Sequence, residues 1–186
     1  MRALIALIVA ACFSVSALAQ QPTQSPKPDP ELKKLAVYVG QWRYEGESKP
    51  GPLGPPGKIV GEATSEMILR GFFLDWRWKE QANGAETRGL EILGYDPINK
   101  SYASTAYMDN GSSSSGAYVF SGNTSNYSGK LAVGGKLYLL RYTETFAADL
   151  MSFVQRAEVS VDAKAWVPLS EIKYAKFKPI PKKLFR

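Results

Sequence analysis

The sequence contains no histidine, and its single cysteine, Cys12, lies close to the first residue. Without either side chain in the body of the chain, Ser-His-Asp and Cys-His nucleophilic schemes cannot be assembled. Zinc or haem held by His or Cys is excluded on the same ground. What stays open is acid–base chemistry by carboxylates, Tyr or Lys, a metal held through oxygen alone, or binding without chemistry. No disulfide can form within the chain, so the folded part must be held by core packing. Beyond the first residues no apolar run is long enough to span a membrane as a helix.

The one long apolar run is Ala3 to Val15, preceded by Arg2 and followed by Ala17-Leu18-Ala19. A positive start, a short apolar stretch and a small-x-small end predict a signal peptide over 1–19 and a mature start at Gln20. The localisation expected is therefore periplasmic or secreted. Val9-Ala10-Ala11-Cys12 supports an alternative, a lipoprotein anchored through Cys12. Gln20 to Pro30 is polar and Pro-rich and reads as a linker over 20–30.

Positive charge is excess only at the end of the chain. Of the 23 bases, Arg2 falls in the leader, and Lys173, Lys176, Lys178, Lys182, Lys183 and Arg186 follow the last acid, Glu171; removing these seven leaves 16 bases against 17 acids. A near-neutral body with a basic end argues against a nucleic-acid-binding face. The tail over 177–186 interleaves bases with Phe177, Ile180, Leu184 and Phe185, a composition suited to an anionic membrane surface.

Between linker and tail, Asp29 can cap a short helix with Pro30 at its first position and Leu32, Leu35 and Val39 at helical spacing. From Gln41 onward the texture is period-2 alternation broken every ten or so residues by turn signals such as Asn83-Gly84, Asp96-Pro97, Asn110-Gly111, Gly122-Asn123 and Gly134-Gly135. About ten strands are predicted, over 41–48, 58–69, 71–80, 86–95, 100–108, 115–121, 124–132, 136–146, 151–161 and 165–176. Consecutive strands with no helix between them favour an all-β, antiparallel up-and-down barrel over 31–176, because closure removes exposed edges. The Pro/Gly-rich loop Ser48 to Lys58 is either a plain surface connection or a lid over a barrel mouth.

Val39-Gly40-Gln41-Trp42, a G-x-W leading into the first strand, is similar to the opening of a lipocalin. That likeness implies structural roles for Gly40, as a sharp turn into the barrel, and Trp42, as a plug of its closed end. It also implies a cation from a terminal strand over the Trp, with Lys176 and Arg156 as candidates. The wider pattern resembles the DUF1579 family of uncharacterised bacterial proteins. The matching pieces are Gly40-x-Trp42, Leu69-Arg70-Gly71-Phe72-Phe73-Leu74, Gly94-Tyr95-Asp96-Pro97 and Ser160-Val161-Asp162-x-x-x-Trp166, and the likeness runs from about Leu35 to Lys176. The sequence departs from the family pattern at Ala163, where Gly is usual, and at Lys176, where Arg is usual. The resemblance implies a lipocalin-like barrel and brings no established activity.

Phe72, Leu74, Trp76 and Trp78 share one strand face and are the candidate ligand-binding residues, against the plainer reading that they fill a packed core. Arg141, with Arg70 and Arg156, is a candidate clamp for a ligand carboxylate or phosphate if it points inward; an outward ion pair or a Trp-capping role is the alternative. Trp166 is assigned a structural role. Tyr95-Asp96-Pro97 reads as an Asx-type turn. Glu62, Glu66, Glu86 and Glu91 are assigned to solvated outer faces, and the inward face of 136–146 is left open. No catalytic residue, metal ligand or cofactor is assigned. The function expected is an exported barrel binding a small apolar or amphipathic molecule. The alternatives are a His-free enzyme of isomerase or lyase type, or an envelope-surface adaptor acting through the basic tail.

Overall fold

The computed structural model describes residues 26–178. The expected signal peptide, Cys12, most of the linker and the tail beyond Lys178 lie outside these residues. Ten antiparallel strands in chain order are β1 (Gly40–Ser48), β2 (Gly57–Ile68), β3 (Phe73–Ala82), β4 (Ala85–Asp96) and β5 (Ser101–Met108), then β6 (Ser113–Ser121), β7 (Thr124–Val133), β8 (Lys136–Phe146), β9 (Ser152–Ser160) and β10 (Val167–Lys178). Each pairs with its sequence neighbours, and β10 returns to β1, so the sheet closes into an up-and-down barrel. The expected fold class is the observed one.

Tight turns set the register. Asn83 and Gly84 both take positive φ, as a type I′ hairpin requires, and place Ala82 opposite Ala85. Gly134 and Gly135 do the same for Val133 and Lys136. Ala163 sits at φ 63°, the left-handed position where glycine is the easier residue. That turn is supported by Ala163 N donating to Ser160 Oγ (3.0 Å) and by Lys164 N and Ala165 N donating to Asp162 Oδ1 at 2.8 and 3.1 Å. Asp96 Oδ1 likewise accepts from Ile98 N and Asn99 N, the expected Asx turn.

One barrel end is closed by the segment before β1. Pro30–Val37 is a 3₁₀ helix rather than an α-helix, with Asp29 accepting a hydrogen bond from Glu31 N at 2.8 Å and with Leu32 and Leu35 buried. The chain then puts Tyr38 and Trp42 inside the barrel, where Trp42 is fully buried and donates from Nε1 to Tyr38 O at 2.6 Å. Lys176 Nζ, on the closing strand opposite Trp42, lies 4.9 Å from the Trp42 ring. The expected cation over the Trp is thus Lys176. Arg156, the other candidate, pairs with Glu171 on the exposed outer surface. At the opposite end, the Pro/Gly-rich loop is tied down beside the mouth: Lys49 N donates to Leu169 O (2.7 Å) and Asn83 Nδ2 to Pro55 O (3.3 Å).

Candidate functional site

Above the Trp42 plug the barrel encloses a cavity of about 280 Å³. Its wall is built by strand parity. Leu74, Trp76, Trp78 and Glu80 come from β3, and the paired β4 residues on the same face are Leu93, Glu91 and Gly89, opposite Leu74, Trp76 and Trp78. From β8 come Leu140, Tyr142 and Glu144, which settles the inward face of that strand; β6, β9 and β10 add Tyr118, Phe153, Gln155 and Tyr174. No residue of the Pro/Gly-rich loop lines the cavity.

Two glycines make room for the large rings. A Cβ on Gly89 would fall 2.1 Å from Trp78 Cζ2, and one on Gly61 2.2 Å from Tyr44 Cζ. Each ring therefore lies flat across the neighbouring strand, occupying the place of a missing side chain. Tyr174 stacks on Phe153 with centroids 4.3 Å apart, and Tyr142 on Tyr127 at 4.5 Å. The wall is an aromatic shell with its ring faces locked by packing.

Three carboxylates interrupt that shell. Glu144 accepts from Ser125 Oγ (2.6 Å), Gln155 Nε2 (3.0 Å) and Tyr38 OH, while Tyr38 OH and Ser125 Oγ stand 2.9 Å apart. The hydroxyls of Tyr38 and Ser125 thus converge on one oxygen of Glu144, Oε2, at a place buried from water. In keeping with this, burial pushes the Glu144 carboxyl above the ordinary carboxylate range despite its hydrogen bonds. Glu91 accepts from Tyr118 OH (3.1 Å) and from Ser104 Oγ, both on Oε1, and Tyr118 OH also contacts Tyr142 OH. Loss of water raises Glu91 to about 7, with the Glu144 charge adding to the shift and the two hydrogen bonds opposing it. Glu80, hydrogen-bonded to Tyr44, is raised by burial as well. The phenols of Tyr38, Tyr118, Tyr142 and Tyr174 are all pushed well above their usual value, chiefly by desolvation, and stay protonated donors.

Against the expected site residues, the structure brings Leu74, Trp76 and Trp78 together on the cavity wall. Phe72 is not with them: it ends the 3₁₀ turn Leu69–Gly71 at φ −80°, ψ −23°, before the strand alternation begins. Arg141 points outward. Its Nε donates to Glu158 at 2.7 Å and its guanidinium lies 4.1 Å from the Trp166 ring, so Arg141 and Trp166 form an exterior stack. The clamp role falls away, because parity sets Arg141 opposite to Leu140 and Tyr142. Glu91 corrects the outer-face assignment in the other direction. Among the described residues, no group of three His, Cys, Asp or Glu side chains converges as a metal site would. The described lining carries no lysine or arginine either, so an anionic cofactor would meet three acids and no counter-charge.

The family model described as "Protein of unknown function (DUF1579)" matches residues 27–170. No curated protein matches the chain. Among solved structures, Rv2717c from M. tuberculosis superposes with a TM-score of 0.59 at 12% identity, covering 82% of this chain and all of that one. The S-type phycobiliprotein lyase CPES from Guillardia theta superposes with a TM-score of 0.54 at 9% identity, over 80% of this chain and 93% of that one. At such identities the likeness is one of fold.

Proposed function

We propose that this chain, which belongs to the DUF1579 family, is an exported protein that binds a small apolar or amphipathic molecule inside its barrel. The observation that carries the reading is the hollow interior. The strand faces that would fill a packed core instead leave about 280 Å³ unfilled between Trp76, Trp78, Leu140, Phe153 and Tyr174. Burial of an aromatic or aliphatic body there gains about 25 cal/mol for each Å² removed from water. Fixed hydroxyls of Tyr118 and Tyr142 and the carboxylates of Glu91 and Glu144 then orient the polar end. Export rests on the Arg2 to Ala19 segment alone.

The fold match to a phycobiliprotein lyase is compatible with a barrel that holds a small organic molecule, and supports nothing finer. Tryptophan emission, reported by Trp76 and Trp78, should quench saturably on titration with para-nitrobenzyl alcohol. Linear, unsaturable quenching by that alcohol would remove the basis for an internal site.

A second reading has one observation in its favour. Glu91, raised to about 7 and joined through Tyr118 to Tyr142, has the proton affinity a general acid–base needs near neutrality. It predicts slow chemical change of a bound compound, lost in Glu91→Gln. Recovery of every tested ligand unaltered after prolonged incubation would count against it.

A further inference from the structure

We propose that the ligand this cavity selects is an organic cation, an ammonium or amidinium group carried on an aromatic or aliphatic body. The inference deepens the small-molecule reading above and rests on it. Its first ground is the charge inventory of the wall. Glu80, Glu91 and Glu144 line one volume, no lysine or arginine of the described residues joins them, and Tyr174 lies in the electrostatic field of all three. Its second ground is the shell between the acids. The ring faces of Trp and Tyr carry negative potential, and Trp76, Trp78, Tyr118, Tyr142 and Tyr174 surround the same space. An aromatic cage with carboxylates behind it is the arrangement that holds a cation after its water is stripped.

The hydrogen bonds add direction. Among the described residues both donors to Glu91, Ser104 and Tyr118, fall on Oε1, and none falls on Oε2. Glu144, by contrast, is met on both oxygens, by Tyr38 and Ser125 on Oε2 and by Gln155 on Oε1. Glu91 therefore has an acceptor to spare where Glu144 has none. An ammonium donating to its Oε2 gains a charge-assisted hydrogen bond and relieves the repulsion between Glu91 and Glu144. A carboxylate or phosphate in the same place gains neither and adds a further negative charge.

The titratable groups that face Glu91 across the cavity or feel its charge are Tyr44 from β1, Glu80 from β3, Tyr118 from β6, Tyr127 from β7, Tyr142 and Glu144 from β8, Tyr174 from β10 and Tyr38 from the plug segment, all acids or phenols. Glu91 protonates near neutrality in the empty cavity, so the preference for cations should weaken as pH falls.

The test is calorimetric titration of the full chain with benzylammonium, benzyl alcohol and benzoate, three ligands that share a ring and differ in charge. At about pH 8 benzylammonium is expected to bind about tenfold or more tighter than benzyl alcohol, and benzoate not at all. Lowering the pH to about 6 should shrink the ammonium-to-alcohol ratio by up to about tenfold, the change in ionised Glu91. Glu91→Gln should bring the ratio toward one at both pH values. Equal affinities for ammonium and alcohol in the wild type, or tighter binding of benzoate, would overturn the cation assignment and leave the cavity reading standing. No binding of any of the three would overturn both. The wild-type series needs no variant, so a poorly folded Glu91→Gln does not blunt it.

Discussion

The two halves of the barrel interior are made from the same kinds of side chain and behave as opposites. At the closed end Trp42 has no exposed surface, its indole N–H is satisfied by Tyr38 O, and Phe153, Trp76 and Lys176 cover its ring. Farther along, Trp78, Tyr142 and Tyr174 border empty volume, and three acids that burial disfavours sit among them. The plug end holds the barrel together. The cavity end accepts destabilisation, since a carboxyl kept out of water costs free energy whenever it is charged. Buried acids retained against that cost are the pattern expected of a binding or catalytic site.

The comparison breaks most severely at the plug. Trp42→Ala should cost about 3–5 kcal/mol in urea unfolding, by lost burial and an uncollapsed cavity next to Phe153 and Trp76. A loss below about 1 kcal/mol would mean that the plug is not what holds this end.

At the cavity end the sign reverses. Glu91 is raised in the folded state, so its contribution favours folding at low pH and is lost as pH rises through about 7. Glu91→Gln should therefore be more stable than the wild type at about pH 8, by about 3 kcal/mol, with the difference vanishing near pH 4. Denaturation midpoints of the two proteins across that range check it, and parallel curves would contradict the shift. Smallest of all should be Arg141→Ala on the exterior. An exposed ion pair and ring stack are worth about 1 kcal/mol or less, and ligand affinity should not move.

Much of the fold was legible in the sequence because its signals are local. Asn83-Gly84 and Gly134-Gly135 announce two-residue hairpins, alternation marks the strands, and Gly40-x-Trp42 marks the plug. The site is less legible because apolarity along a single strand does not fix which of its faces points inward. On β4, Leu90 and Ile92 look like the buried face beside Glu91, and on β8 both faces are mixed. The hairpins held the missing information. Counting outward from Asn83-Gly84 sets Trp76 opposite Glu91 and Trp78 opposite Gly89, and cross-strand partners share a face. Counting from Gly134-Gly135 sets Tyr142 opposite Tyr127 and Glu144 opposite Ser125. Register from turns would have brought Glu91 and Glu144 inside and, through Leu140 and Tyr142, put Arg141 outside. The 3₁₀ form of Pro30–Val37, and Phe72 ending a turn in place of beginning a strand, have no such signal, because tertiary contacts decide them.

The central claim is that the interior is hollow and occupied by ligand, and filling it is the direct test. Leu140→Trp adds ring atoms to the cavity wall on β8, on the same strand face as Tyr142. Calorimetric titration with para-nitrobenzyl alcohol should show one saturable site in the wild type and none in Leu140→Trp, with the variant's unfolding free energy changed by no more than about 1 kcal/mol. Equal binding to both proteins would place the ligand outside the barrel and contradict the account.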